Sequence, residues 1–224
     1  MYKAIFFDID DTLLDFNEAS YSAFYKSFEM LNLPIDDTGY QKFQSIDHDL
    51  WQAQRLGKIT VNDVIDLRFQ QLFLALKIQS DYAKMRDIFQ TNLSLQSITE
   101  NGAHDILEYL NKKYQLYTAS NGIFNMQESR LQQANLLHYF SDLFISNMIG
   151  YEKPAPRFFK YCLAQSQLLP EEILFVGDSL TADIFWASNY GIDTCWYNPK
   201  NLMGQLDCNV KYMVNSLLEL KKIL

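Results

Sequence analysis

The sequence predicts an α/β fold: a doubly wound parallel sheet with an all-helical domain inserted near its start. Short β-rich runs that are apolar without a break alternate with helical stripes, as strands covered on both faces by helices do. That alternation stops between residues 17 and 96, where only helical patterns occur. The chain has 224 residues, 48% of them hydrophobic and 15% aromatic, enough for one such core and a modest second domain. The expected division is 1–16 and 97–224 for the core, and 17–96 for the helical insertion.

In chain order, the first strand is KAIFF at 3–7. Tyr21, Phe24, Phe28 and Leu31 then recur at helical spacing. Asp36-Asp37 and Leu56-Gly57-Lys58 bracket a second helix containing Trp51. Val61, Val64, Ile65, Phe69, Leu72, Phe73 and Leu76 mark a third, and Tyr82, Met85, Ile88 and Phe89 a fourth. The core resumes with a helix whose stripe is Ala103, Ile106, Leu107 and Leu110, followed by the strand YQLYTA at 114–119. LFIS at 143–146 is the next strand. Pro154 and Pro156 suit the start of a helix that groups Phe158, Phe159, Cys162 and Leu163. ILFVG at 173–177 leads into GDSLTADIFWASNYG, a helix expected to end at Gly191. IDTCWY at 192–197 and the weaker VKYMV at 210–214 complete the sheet.

Formal charge is −8, from 19 basic and 27 acidic residues. This favours solubility and discourages binding to nucleic acid polymers or anionic membranes, although a local metal and lysine can still receive a small anion. Cys162, Cys195 and Cys208 lack metal-site spacing and read as reduced packing residues. His48, His104 and His138 are scattered, which argues against zinc. Acids interrupt the apolar run of the first ten residues, so no signal peptide is expected there. No stretch approaches the length of a membrane span. The cytoplasm is the expected compartment.

The stretch FFDIDDTLLDF raises the chemical question, because it sets Asp8, Asp10 and Asp11 where a buried strand stops. Acids rarely occupy such a place unless paired or bound to a cation. Ligands of open α/β sheets collect at the carboxyl ends of strands. Four other features fall at strand ends: Ser120 with Asn121-Gly122, Lys153 in GYEKP, Asp178, and Asp183 in GDSLTAD. Taken singly, each has an ordinary reading: D-x-D as a turn or cap, S-N-G as a turn, Lys153 as a solvated lysine, Asp178 as a helix cap. Taken together, three carboxylates in one crevice demand a cation, and oxygen-only ligands select a hard ion such as Mg²⁺. Lys153 suits phosphate oxygens, as do the Ser120 hydroxyl and the backbone donors of the S-N-G turn. One acid could attack phosphorus while its D-x-D neighbour moves protons.

In this combination the sequence resembles the haloacid dehalogenase (HAD) superfamily of aspartyl-phosphate hydrolases. DIDDTL at 8–13, Ser120, Lys153 and GDSLTAD match its four motifs in order. The resemblance implies a Rossmann-like core with an inserted helical cap. It implies Asp8 as nucleophile and Mg²⁺ ligand, and Asp10 as acid/base that also offers its backbone carbonyl to the metal. Asp178 is implied as the other metal ligand, with Asp183 orienting Lys153 or metal-bound water, and Ser120 and Lys153 holding the phosphoryl group. Asp10 favours phosphoryl chemistry, since dehalogenases of this superfamily lack that second acid. The phrases DDTLLDF, ASNG, IGYEKPAPRFF, GDSLTADI and GIDTCWYN are similar to a group of noncanonical pyrimidine 5'-nucleotidases. The expected partner is a small phosphorylated metabolite, a nucleoside monophosphate, acted on by a monomer or homodimer. Asn121, Phe16 and Asn17 are candidate substrate contacts, with Trp51 and Arg55 as further candidates in the cap. The alternatives are a sugar-phosphate phosphatase or phosphomutase of the same fold, or a non-catalytic binding or regulatory protein.

Overall fold

The structure is a computed structural model that describes residues 1–203 and 210–224; Cys208 lies outside the described residues. By its internal contacts the chain separates into two compact units. Met1–Phe16 and Ser97–Leu224 form one, and Asn17–Gln96 the other.

The first unit is built on a six-stranded sheet: β1 (Ala4–Phe7), β2 (Gln115–Ser120), β3 (Asp142–Ile145), β4 (Ile173–Gly177), β5 (Asp193–Tyr197) and β6 (Tyr212–Val214). The spatial order is β3-β2-β1-β4-β5-β6 and every neighbouring pair is parallel. Phe7 is level with Thr118 on one side and Val176 on the other, so β1, β2 and β4 finish close to the same height. Side chains alternate across the pleat. Ile5, Phe7, Leu116, Leu174 and Val176 enter one core layer, whereas Ala4, Phe6, Tyr117, Ile173 and Phe175 enter the other. Two buried faces explain why the strands are apolar without interruption.

The second unit is helical: α1 (Phe16–Met30, opening at the boundary residue), α2 (Asp37–Arg55), α3 (Val61–Leu76) and α4 (Tyr82–Ser94). Asp36 caps α2 by accepting the Gly39 N–H at 2.9 Å. Phe24, Phe28, Phe43, Phe69, Phe73 and Phe89 are buried together, with Phe24–Phe43, Phe43–Phe69 and Phe69–Phe89 centroids 5.0, 5.2 and 5.1 Å apart. Each such ring contributes roughly 1.5–3 kcal/mol through burial. A buried Asn92 Nδ2 donates to Ser27 Oγ at 2.9 Å, tying α4 to α1. Two residues expected in the apolar stripes are exposed instead: Tyr21 at 44% and Tyr82 at 42%. Ala19, Ala23 and Ser27 complete the buried face of α1, and small residues there leave a phenol free to keep its hydroxyl in water.

The remaining helices cover the sheet. From α5 (Ala103–Leu110) the buried Ala103, Ile106, Leu107 and Leu110 pack on one face with Leu131 of α6 (Phe124–Gln133). A short helix α7 (Ser146–Ile149) follows β3. On the other face lie Phe158, Phe159 and Cys162 of α8 (Pro156–Ser166), which starts on Pro156, and Ala187 of α9 (Phe185–Asn189). Gly191, just beyond α9, has φ +75, the left-handed conformation expected where a helix stops. Cys162 and Cys195 are buried and unbridged, and His48, His104 and His138 are all exposed. Among the described residues no helix is long and apolar enough to cross a membrane.

Candidate active site

The strand order reverses its winding between β1 and β4, and there the strand ends leave a crevice. Asp8 is the residue after β1, its N–H held by Val176 O at 2.9 Å. Asp178 is the residue after β4, and Ser120 is the last of β2.

Lys153 reaches this crevice from the loop before α8. Its Nζ donates to Asp8 Oδ1 and to Asp183 Oδ1, both at 2.6 Å, and all three residues are buried. Asn121 fixes the lysine's backbone from both sides: Lys153 N–H donates to Asn121 Oδ1 at 2.7 Å, and Asn121 Nδ2 donates to Lys153 O at 2.8 Å. The side chain expected on substrate is therefore engaged in placing the lysine. Ser120 Oγ, also buried, donates to Asn121 O at 3.4 Å, and the Gly122 N–H of the same turn donates to Ser146 Oγ at 3.0 Å.

Asp183 is held by Ser179 N–H on Oδ2 at 3.1 Å and by close approach to Gly177. A Cβ on Gly177 would stand 2.4 Å from that same Oδ2, so only glycine admits the carboxylate here. Asp178 is not the helix cap of this segment. Ser179 takes that place, its Oγ accepting the Ala182 N–H at 3.1 Å. The Asp178 backbone is fixed instead, its N–H on Thr12 Oγ1 at 3.1 Å and its C=O receiving Trp196 Nε1 at 2.8 Å.

Asp8, Asp178 and Asp183 bring carboxylate oxygens within 4.8 Å of one another. Burial pushes the Asp8 carboxyl up to about 7; Lys153 pulls it down, and Asp183 and Asp10 push it further up. For Lys153, burial disfavours the charge, but Asp183 and Asp8 together outweigh it and the ammonium is held above its usual range. Crowded carboxylates around a single lysine, with an Asp8 reluctant to ionise, are what a further cation would relieve. An all-oxygen donor set fits a hard divalent ion such as Mg²⁺.

Asp10 turns to the other side of the loop. Gln127 Nε2 donates to Asp10 Oδ2 at 2.7 Å, Arg130 Nη1 donates to Asp10 Oδ1, and Arg130 Nη1 also meets Gln127 Oε1 at 3.0 Å. Neither α6 residue figured among the sequence candidates. The available signal was that α6 has few apolar residues, so a polar pair at i, i+3 had to share its inner face with Leu131. Thr12, which no spacing in the sequence marks, links the first acidic loop to Asp178.

Phe16 lies with its ring 5.8 Å from the Arg130 guanidinium, and its N–H donates to Asp11 Oδ1 at 3.2 Å. Asn17, Trp51 and Arg55 belong to the helical unit. Asn17 is exposed there with its C=O accepting from Tyr40 at 3.3 Å, while Trp51 and Arg55 are half-buried on α2. A second acidic group, Asp11, Asp15 and Glu100, adjoins the same loop.

Residues 5–197 match the family described as haloacid dehalogenase-like hydrolase. The HAD-hydrolase YfnB of Bacillus subtilis is 33% identical, the match covering all of this chain and 95% of that protein. Its solved structure, bound to magnesium, superposes with a TM-score of 0.94 over 100% of this chain and 98% of that one. Pyrimidine 5'-nucleotidase PynA of Streptococcus pneumoniae is 35% identical over 98% of this chain and 93% of its own length. Pyrimidine 5'-nucleotidase YjjG of Escherichia coli is 28% identical over 98% and 96%. A match of this extent, on a parallel sheet that gathers the acids of DIDDTL and GDSLTAD around Lys153, places the chain in the haloacid dehalogenase-like hydrolase family.

Proposed function

We infer that this hydrolase is a Mg²⁺-dependent phosphomonoesterase, a 5'-nucleotidase acting on nucleoside monophosphates through an aspartyl-phosphate at Asp8. The observation that carries the reading is the pairing of two differently placed acids. Asp8 is buried and bonded to Lys153, whereas Asp10, two residues on, is partly open and held by another helix. One acid is fixed as an attacking group and the other is set apart to exchange protons. The substrate class rests on PynA and YjjG, both named as pyrimidine 5'-nucleotidases.

In the first step an Asp8 carboxylate oxygen attacks phosphorus, the bond to the nucleoside 5'-oxygen breaks, and Asp10 gives that oxygen a proton. In the second, Asp10 takes a proton from water as it attacks phosphorus, the Asp8–phosphorus bond breaks, and inorganic phosphate leaves. Lys153 neutralises charge on the phosphoryl oxygens, Ser120 offers its hydroxyl to them, and Asp183 keeps the ammonium aimed. Mg²⁺ would be held by Asp8, Asp178 and the Asp10 backbone carbonyl and, when bound, adds positive charge beside the phosphoryl oxygens. The helical unit serves as the cap that selects the leaving group, with Phe16 and Asn17 at its margin.

Phosphate release from nucleoside monophosphates and sugar phosphates, with and without Mg²⁺, tests the reading. Mg²⁺-dependent release with preference for nucleoside monophosphates is expected. Preference for sugar phosphates would replace the substrate class.

A further inference from the structure

We propose that Gln127 and Arg130 are positioning residues that hold the Asp10 carboxylate at the angle proton transfer needs. The inference rests on Asp10 being the acid/base of the proposed reaction. Three observations carry it. First, both Asp10 oxygens are taken by one helix, Oδ2 by Gln127 Nε2 and Oδ1 by Arg130 Nη1, and the two holders are bonded to each other. A carboxylate gripped at both oxygens has lost its rotation about χ2, whereas a single contact would leave it free to swing. Second, burial is unequal: the Arg130 side chain is fully buried and that of Asp10 is 27% exposed. A pair serving only to hold α6 on the sheet needs no exposed partner; here the charge is anchored from beneath and left open above. Third, Arg130 Nε and Nη2 are buried without a hydrogen-bond partner among the described residues. An arginine buried there, where an apolar side chain could fill the space, points to selection for the contact its Nη1 makes.

The test compares two esters on wild type, Gln127→Leu, Arg130→Met and Arg130→Lys. Uridine monophosphate needs a proton on its leaving oxygen, whereas p-nitrophenyl phosphate expels a stable phenolate without one. Since kcat/KM reports the steps up to phosphoenzyme formation, a misaimed Asp10 should penalise only the first ester. Gln127→Leu and Arg130→Met should lower kcat/KM for uridine monophosphate by about 100-fold, as for an ångström-scale misplacement. KM should be unchanged, p-nitrophenyl phosphate little affected, and Arg130→Lys intermediate. Should Arg130→Met fail to fold, Gln127→Leu carries the comparison, and a crystal structure of it should show the Asp10 carboxylate rotated. Equal losses on both esters, an unmoved Asp10, or unchanged constants would overturn the proposal while leaving the phosphatase reading intact. A wild type that hydrolyses neither ester would remove both.

Discussion

Asp11 shows how a residue can be placed correctly for the backbone and wrongly for its charge. It adopts φ +56, a left-handed conformation that aspartate and asparagine tolerate better than most residues, and its Oδ1 accepts the Phe16 N–H. That contact lets the side chain hold the loop. Burial, with Asp10 adding to it, pushes its carboxyl up to about 6, against about 3.9 in an unfolded chain. Between these values the folded state binds more protons than the unfolded one, so this group makes stability fall as pH rises through that window. Asp11→Asn keeps the conformation and the acceptor but removes the charge. Its Tm without metal should exceed wild type by about 2 °C or more at pH 7.5 and converge on wild type near pH 4. A lower Tm at pH 7.5 would contradict the assignment. What local motifs could not reveal at this scale is pairing across distance. Gln127 and Arg130 stand 117 and 120 positions from Asp10, and nothing in their own neighbourhood marks them as its partners.

Elements were legible in proportion to how far local chemistry decided them. The strands could be read because an unbroken apolar run in a parallel sheet reflects burial on both faces, which is a property of the run itself. GDSLTAD could be read as a helix start but not as the wider π turn it makes at Leu180–Ile184. Within it Asp183 reaches Ser179 N–H and Lys153 together, and helical periodicity carries no trace of the wider turn. In the helical unit, α3 is legible from its stripe alone, yet its start is also fixed by a reciprocal cap. Thr60 Oγ1 accepts the Asp63 N–H at 3.1 Å and Asp63 Oδ2 accepts the Thr60 N–H at 2.8 Å. Thr60→Ala should therefore cost about 1 kcal/mol of stability, measured by urea unfolding, with the fold retained. No change in the midpoint would mean the cap is idle.

Across the whole molecule, strand order is what turns scattered acids into one site. The sequence showed that Asp8, Ser120, Lys153 and Asp178 each follow a strand. Only the order β3-β2-β1-β4-β5-β6 shows that β1 and β4 adjoin at the winding reversal and that their acids meet. The excess of negative charge there predicts a metal response besides activity. Mg²⁺ at about 100 times its Kd should stabilise the protein by about 2.7 kcal/mol. The gain should be larger at pH 8 than at pH 5, because the Asp8 carboxyl, held up to about 7 by burial, must lose its proton to bind. A Tm indifferent to Mg²⁺ at pH 8 would contradict the cation site. The proposed chemistry turns on Asp8 as the attacking group. Phosphate release from a nucleoside monophosphate in saturating Mg²⁺, wild type beside Asp8→Asn, tests it most directly. Turnover by wild type and none by a folded Asp8→Asn protein is the predicted result; near-normal turnover by Asp8→Asn would contradict it.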